Sequence, residues 1–429
     1  MSGMVANWLA ALTAGATLVG LGQSIAGAVL VRRFCRRRPA ESTELPAVTV
    51  LKPLYGDEPL LEEALASACV QDYPTWQVVF GVQRADDPAA AVVRRLQRRF
   101  PDRDLTLVID AAYHGPNRKV GNLINMLAEV RHDVLVIADS DVHAAPDYLR
   151  RLVGALLQPG VGLVTTLYTG LPAHRGLPSV LGASGITHGF LPGALLARAM
   201  GRQDCLGATM CLRRDTLDAI GGFQALVMHL ADDNVLGRKV RRLEQSVALA
   251  DTVPATTVPE ATLGALFRHE LRWARTIAAL APAAFLASVL QYSLVWALLS
   301  VVLAAGAAWA VGLFLVAWAI RAAIASIIDR VLEGRGFAPA PHQEALPPGP
   351  PQRGTAPLIP TRGIAFQGPS LLAGGCREGS ALPAALLPLR DIFSVAVYLA
   401  SHAGKTVDWR GHGLHADRPD RSLATPPGE

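Results

Sequence analysis

Three stretches of the chain are almost free of charged side chains, and the long region between the first two alternates short apolar runs with amphipathic ones. Residues 8–31 make an apolar run of 24 residues without a charge. About 20 residues at 1.5 Å each cross the roughly 30 Å hydrocarbon core of a bilayer, so this run predicts a membrane anchor. Its arginines follow it, whereas a cleaved signal peptide would place charge ahead of a shorter apolar core. A second region, 276–320, has 45 residues and no charge; it predicts two spans, at 283–303 and 306–328, with Gly306 at the turn and Arg321 close to the cytoplasmic end. The third, 382–400, is interrupted by Arg390 and Asp391. A full span and a re-entrant or interfacial helix both fit it.

Between 46 and 275 the pattern changes to that of an α/β domain. VTVLKPL (48–54), WQVVFGVQ (76–83), LTLVID (105–110), DVLVIADSD (133–141) and VGLVTTLY (161–168) read as strands. Helices are expected between them from Pro59, Pro88, Lys119 and Ala145, and proline near the start of several suits a first helical turn. Such alternation predicts a mostly parallel sheet covered on both faces, with ligands bound beyond the carboxyl ends of the strands.

Composition sharpens the picture. Of the 429 residues, 51% are hydrophobic and only 17% charged, against about 25% charged in an average soluble protein. Lys and Arg number 40 and Asp and Glu 35, for a net charge of +5. Residues 1–40 hold five arginines (Arg32, Arg33, Arg36, Arg37, Arg38) and no acid, so the remainder balances at 35 against 35. The excess is a juxtamembrane cluster rather than a basic face for nucleic acid. By the positive-inside rule it keeps the following domain cytoplasmic. Cys35, Cys69, Cys205, Cys211 and Cys376 are scattered with no CxxC pair, which indicates neither a disulfide framework nor a zinc site. The expected organisation is an anchor with a basic flank at 1–40, the α/β domain at 46–275, two membrane helices at 276–330, a Pro/Gly-rich loop at 335–380, and an apolar segment with a polar tail at 381–429.

Candidate chemistry lies at the expected strand ends. Asp86 and Asp87 follow WQVVFGVQ and precede Pro88. A helix N-cap explains them, and so does a carboxylate that hydrogen-bonds a nucleoside. DVLVIADSD delivers Asp139 and Asp141 at the end of an apolar strand, where residues i and i+2 of an extended chain point the same way and can face one hard cation, Mg²⁺ or Mn²⁺. Asp232 and Asp233, in LADDNVLG, suit the first turn of a helix as well as a site. In RHELRWART, His269, Arg272 and Trp273 stand just ahead of the second apolar region, where Trp and Arg also serve as interfacial anchors.

Taken in order, an acidic pair after the second strand, DSD after the fourth, a late DD and a final xxRW before apolar helices resemble the inverting family 2/21 glycosyltransferases of GT-A fold. The subgroup of ceramide glucosyltransferases and hopanoid-biosynthesis N-acetylglucosaminyltransferases is the most similar; VTVLKPL, GVQRADDP, GPNRKVGNL, CLGATMCLRR and LADDNVLG all resemble it. The resemblance implies a Rossmann-like GT-A domain on the cytoplasmic side of a bacterial inner membrane, flanked by transmembrane helices. It also implies a UDP-sugar donor, Mg²⁺ or Mn²⁺, and a lipid acceptor in the bilayer, with no nucleic acid as partner. Residue by residue, Asp86 or Asp87 would hold uracil and ribose, Asn117 and Lys119 would lie over the nucleotide, Asp139 by the diphosphate and Asp141 near the metal. Asp233 would be the base that activates the acceptor. His269, Arg272 and Trp273 fall in the family's (Q/R)xxRW box, with histidine where Gln or Arg is usual, and Arg272 is expected near the leaving diphosphate. His188, in GITHGF, matches a histidine of the ceramide branch and joins Asp232 as a candidate on the acceptor side. The implied reaction moves N-acetylglucosamine from its UDP ester to a hopanoid such as bacteriohopanetetrol, with inversion. A ceramide or polyprenyl-phosphate transferase and a non-catalytic nucleotide-sugar sensor are the alternatives.

Overall fold

The computed structural model describes residues 2–40, 42–336, 383–404, 406–409 and 412–415. The Pro/Gly-rich stretch from 337, Cys376 and most of the polar tail lie outside the described residues. Strands follow the chain as β1 (Val48–Pro53), β2 (Trp76–Val82), β3 (Leu105–Ile109), β4 (Val134–Ala138), β5 (Val142–His143), β6 (Val161–Thr165), β7 (Thr169–Pro172), β8 (Thr209–Arg213), β9 (Ser246–Leu249) and β10 (Ala255–Val258). A late hairpin pairs β11 (Thr406–Trp409) with β12 (His412–His415). The helices are α1 (Ser2–Cys35), α2 (Leu61–Cys69), α3 (Pro88–Arg99), α4 (Arg118–Met126), α5 (Tyr148–Leu156), α6 (Leu177–Ser184), α7 (Leu191–Ala199), α8 (Arg214–Ala219), α9 (Asp232–Arg242), α10 (Leu263–Leu280), α11 (Pro282–Ala287), α12 (Ser293–Leu303), α13 (Ala308–Glu333) and α14 (Leu387–Ser401). A π-helical turn, Gly185–Phe190, joins α6 to α7.

The central sheet has the order β3-β2-β1-β4-β8-β6-β9, and β8 alone runs against the other six. This is the mostly parallel sheet that the alternation predicts. Val48, Val50, Val78, Phe80, Val134 and Val136 face α2, α3 and α5, while Leu51, Val79, Leu135 and Ile137 face α4, α8 and α9. Both faces are covered, so the strands read as continuous apolar runs in place of an alternation. β5, β10 and β7 make a small second sheet beside the carboxyl ends. The five strands expected from sequence are β1, β2, β3, β4 and β6; β5 and β7 to β10 carried no comparable apolar run.

Four described helical stretches are long and apolar enough to cross a membrane: Met4–Cys35, Leu177–Ala199, Ala308–Glu333 and Ala384–Ser401. Small residues let them pack closely. Gly20 of α1 lies against the Leu290 carbonyl and Ser293, where a Cβ would not fit, and Thr13 and Ser300 share a 2.8 Å hydrogen bond. Leu191 and Leu195 of α7 pack on Ala28, Val31 and Phe34, near the arginine end of α1. The Arg335 guanidinium donates to the Arg37 carbonyl at 2.9 Å, so the ends of α1 and α13 meet on the side that carries the sheet.

Two expectations need correction here. The stretch 283–303 is not one straight span: α11 and a 3₁₀ turn, Ser288–Gln291, meet α12 at a bend of 62°. Nor is Arg321 at a helix end; it lies inside α13. The two corrections share a cause. A break exposes backbone groups that an apolar surround cannot satisfy, and Arg321 donates to the Gln291 carbonyl at 3.3 Å while Asp391 accepts from the Leu294 N–H at 3.2 Å. The same two side chains pair with each other at 3.2 Å. Asp391 interrupts the third apolar stretch because the bend requires it.

Asp391→Ala leaves Arg321 unpaired among apolar helices and should cost about 3–5 kcal/mol. Thermal unfolding in detergent would show a clear drop in Tm, and an unchanged Tm would refute the bridging role.

Candidate active site

The carboxyl end of β4 is where the chemistry gathers. Asp139 and Asp141 flank Ser140 just beyond the strand, but not as alternate residues of an extended chain: the Val142 N–H donates back to the Asp139 carbonyl at 3.3 Å, so DSD is a turn. Lys52, buried at the end of β1, closes the turn from below by donating Nζ to the Asp139 carbonyl at 2.9 Å and the Val142 carbonyl at 3.3 Å. Ser140 donates to Glu58 at 2.6 Å. Burial lowers the Lys52 pKa to about 8, with the carboxylates of Asp141 and Asp139 opposing the shift. Burial, the Asp139 charge and the Glu58 charge push Asp141 up to about 7.

A second acidic group reaches the same place from α9. Asn117, the N-cap of α4, donates to Asp232 at 3.1 Å and to the His229 carbonyl at 2.8 Å, while its own oxygen accepts from the Val120 N–H. Lys119, in the first turn of α4, pairs with Asp139 at 2.5 Å. Burial opposes its charge, but Asp139 and Asp232 outweigh burial and hold the lysine above its ordinary value. Burial, then the charge of Asp232, push Asp233 up to about 7, with Lys119 opposing. Asp233 can lie there because residue 207 is glycine: a Cβ would come 2.7 Å from Oδ2. Asn117, Lys119, Asp139, Asp141, Asp232 and Asp233 thus form one cluster, as the sequence led us to expect.

The other candidates divide. Asp87 caps α3 by accepting from the Ala89 N–H at 2.9 Å and also accepts from the Gly56 N–H at 3.0 Å, whereas Asp86 is 68% exposed and pairs with Arg84 at 2.6 Å. His269 and Trp273 lie one turn apart on α10, ring to ring at 4.7 Å, and His269 hydrogen-bonds Glu260 through Nδ1. The Arg272 charge also acts on Glu260, whose carboxyl is held low by His269 against the effect of burial. Trp273, Tyr168 and Phe190 all pack against the buried cluster of Ala183, Ile186 and Val258. Tyr168 stacks on Phe190 at 4.6 Å. Burial, Asp233, Asp139 and Asp141 together raise the Tyr168 phenol, so the apolar cluster that Trp273 shares lies beside the carboxylates. His188 points elsewhere, bonded to Asp329 of α13 at 2.9 Å and to Ser184 at 3.1 Å.

Lys52, Glu58, Tyr168, Gly207 and Glu260 were not singled out from sequence. A lysine inside the apolar VTVLKPL was the available signal for the first; Glu260 offered none. The donor set at the DSD turn fits a hard cation. Asp141 is a buried carboxyl pressed by like charges, and among the described residues no third His, Cys, Asp or Glu closes a cage. Mg²⁺ and Mn²⁺ sites of this kind share their remaining positions with phosphate oxygens.

The sequence model of glycosyl transferase family 21 matches residues 12–346. A ceramide glucosyltransferase of Komagataella phaffii is 31% identical over 132 residues, 30% of this chain and 26% of that protein. Ceramide glucosyltransferase 3 of Caenorhabditis elegans is 21% identical over 253 residues, 58% of this chain and 55% of that protein. The chain thus spans from about a quarter to about half the length of these relatives. A mannosyltransferase from Pyrobaculum calidifontis, solved with GDP-Man and Mn²⁺, is similar at 23% identity and a TM-score of 0.47, over 73% of this chain and 87% of that one. At that score the likeness is too loose to say what this chain binds. The family match takes in both the sheet with its acidic cluster and the helices around it, and the chain belongs to glycosyl transferase family 21.

Proposed function

We propose that the protein is an inverting glycosyltransferase that moves a sugar from a UDP ester to a hydroxyl of a membrane lipid, at the cytoplasmic face of a bacterial inner membrane. The observation that carries this reading is that Tyr168, on which the charges of Asp233, Asp139 and Asp141 act, packs against the same Ala183–Ile186–Val258 cluster as Trp273, which stands ahead of the apolar helices. Hydrophilic donor chemistry and an amphipathic acceptor meet at that ring. The family supports glycosyl transfer, and the relatives' names support a lipid acceptor. In this reading the sugar is N-acetylglucosamine and the lipid a hopanoid such as bacteriohopanetetrol. The relatives' names favour ceramide as a second acceptor to be tested beside it.

Asp86 or Asp87, at the end of β2, holds the uracil and ribose. Asp139 and Asp141 would hold a divalent cation, which would supply positive charge against the departing diphosphate. Lys119 and Arg272 add fixed positive charge, worth more in a dry site than in water. Asp233 takes the proton of the acceptor hydroxyl as that oxygen attacks the anomeric carbon from the face opposite the diphosphate. A carboxylate with a pKa of about 7 suits this role, because general bases work best when their pKa lies near the working pH. Asp232 and His188 remain candidates for the acceptor side, although Asp232 is bonded to Asn117 and His188 to Asp329 of α13.

Asp233→Asn should lower transfer by about 10²-fold or more while leaving UDP affinity intact; near-normal turnover by this variant would remove Asp233 from the role. Because the base acts ionised, wild-type turnover should rise with pH around a midpoint of about 7, as Asp233 loses its proton. A pH–rate profile flat through that region would count against the assignment. Excess chelator should stop transfer, with Mn²⁺ or Mg²⁺ restoring it, in membranes supplied with UDP-sugars and hopanoid, ceramide and polyprenyl-phosphate acceptors. Full activity in chelator would dismiss the cation, and glycosylated ceramide as the sole product would overturn the hopanoid.

A further inference from the structure

One buried contact on α10 has no part in the proposed chemistry. Glu270 stands inside HELRW, between His269 and Arg272, and its two oxygens accept from Arg390 of α14 at 2.7 and 3.0 Å. The two side chains are only 16% and 13% exposed. Arg390 passes Gly185 on the way, where a Cβ would collide with its guanidinium, so a side chain at the first residue of the π-helical turn would push Arg390 from its present position. The adjacent Asp391 is engaged with Arg321 and does not compete for Arg390. Around the pair, Phe393 meets Phe267 edge-on at 6.0 Å, and Leu271 and Ala274 pack with Val397. His269, one residue earlier and about 100° around the helix, is held separately by Glu260.

Two contacts at different angles fix the rotation of a helix about its axis. A turn of about 10° carries a side-chain tip at about 6 Å radius through roughly 1 Å, and a misplacement of that size costs on the order of 100-fold in rate. We infer that Arg390 and Glu270 are positioning residues: their ion pair locks α10 in the rotation that presents Arg272 and Trp273, so that α14 completes the active site from outside the α/β domain. The inference rests on the proposed function for what α10 presents.

The test uses the full chain in nanodiscs with Arg390→Gln, Arg390→Lys and the double variant Glu270→Leu with Arg390→Leu. In Arg390→Gln, kcat should fall about 10- to 100-fold with the UDP-sugar KM changed far less, since the groups assigned to the nucleotide sit at the sheet and on α4 and only Arg272, assigned to the departing diphosphate, stands on α10. Arg390→Lys, which keeps the charge, should recover part of the loss. Amide exchange across 263–280 should quicken at least about tenfold while 118–126 keeps its protection. The double variant leaves no charge unpaired and keeps the fold, so it separates positioning from stability: it should fold normally and still turn over slowly. Wild-type kcat in the folded double variant, or unchanged exchange in Arg390→Gln, overturns the inference. The exchange measurement needs no turnover; a wild type inactive on every acceptor would therefore sink the function and leave α14's role to be decided by exchange.

Discussion

Four carboxylates, Asp139, Asp141, Asp232 and Asp233, are held together at the end of one sheet against their mutual repulsion, and the arrangement of the α/β domain follows from how that repulsion is contained. Lys119 sits among them and pairs directly with Asp139; Lys52 lies beneath and donates to backbone carbonyls. Two positive charges do not balance four negative ones. Asp141 and Asp233 are both pushed up to about 7. A carboxyl whose folded pKa exceeds its unfolded value binds more protons when folded, so stability falls as pH rises from about 4 towards 7 and the cost is fully present above that. The site is thus built at the expense of stability and is relieved by whatever brings positive charge to it. A divalent cation, if held there as proposed, would relieve it directly.

The membrane region solves a related problem with backbone groups. A bend of 62° between α11 and α12 exposes a carbonyl and an N–H among apolar helices. Arg321 and Asp391, brought from α13 and α14, satisfy both and neutralise each other. An intramembrane charge pair is costly in isolation, yet here it replaces two unsatisfied backbone groups and one unpaired charge. The bend follows α10, which carries His269, Arg272 and Trp273, after only α11 and the 3₁₀ turn. α10 and the apolar helices are therefore joined through a short polar knot that neither an all-apolar pair nor a soluble domain would need.

Much of this was readable in advance, and the failures have identifiable causes. β1, β2, β4 and β6 were legible because both faces of each are covered, which leaves continuous apolar runs, and the edge strand β3 was legible from the apolar residues of LTLVI alone. β7, β9 and β10 have only four residues each, and β8 carries Thr209 and Arg213 at its ends, so no such run marks them. The grouping of Asp139, Asp141 and Asp233 was legible from order along the chain, but the DSD geometry was not: the turn is set by Lys52, a tertiary partner 87 residues away. The bend at residue 292 was invisible for the same reason, since no proline or glycine marks it and its partners arrive from distant helices. Arg390 and Asp391 looked like interruptions of an apolar segment because each partner, Glu270 and Arg321, lies far off in sequence.

The two halves of the site consequently differ in what holds them. Donor-side residues stand on β2, β4 and the first turn of α4, each anchored by sheet register and by backbone hydrogen bonds at close range. The residues proposed for the acceptor side stand on α10 and the π-helical turn, whose positions depend on the cluster that Tyr168, Phe190 and Trp273 share and on ion pairs to α13 and α14. A sheet defines a nucleotide site with little freedom to change. Helices keyed by a few side chains can shift against each other when those side chains are exchanged. Under the proposed reaction, the segments 168–190, 260–292 and 383–404 are therefore where a change of side chains would alter the acceptor while leaving the acidic cluster as it is.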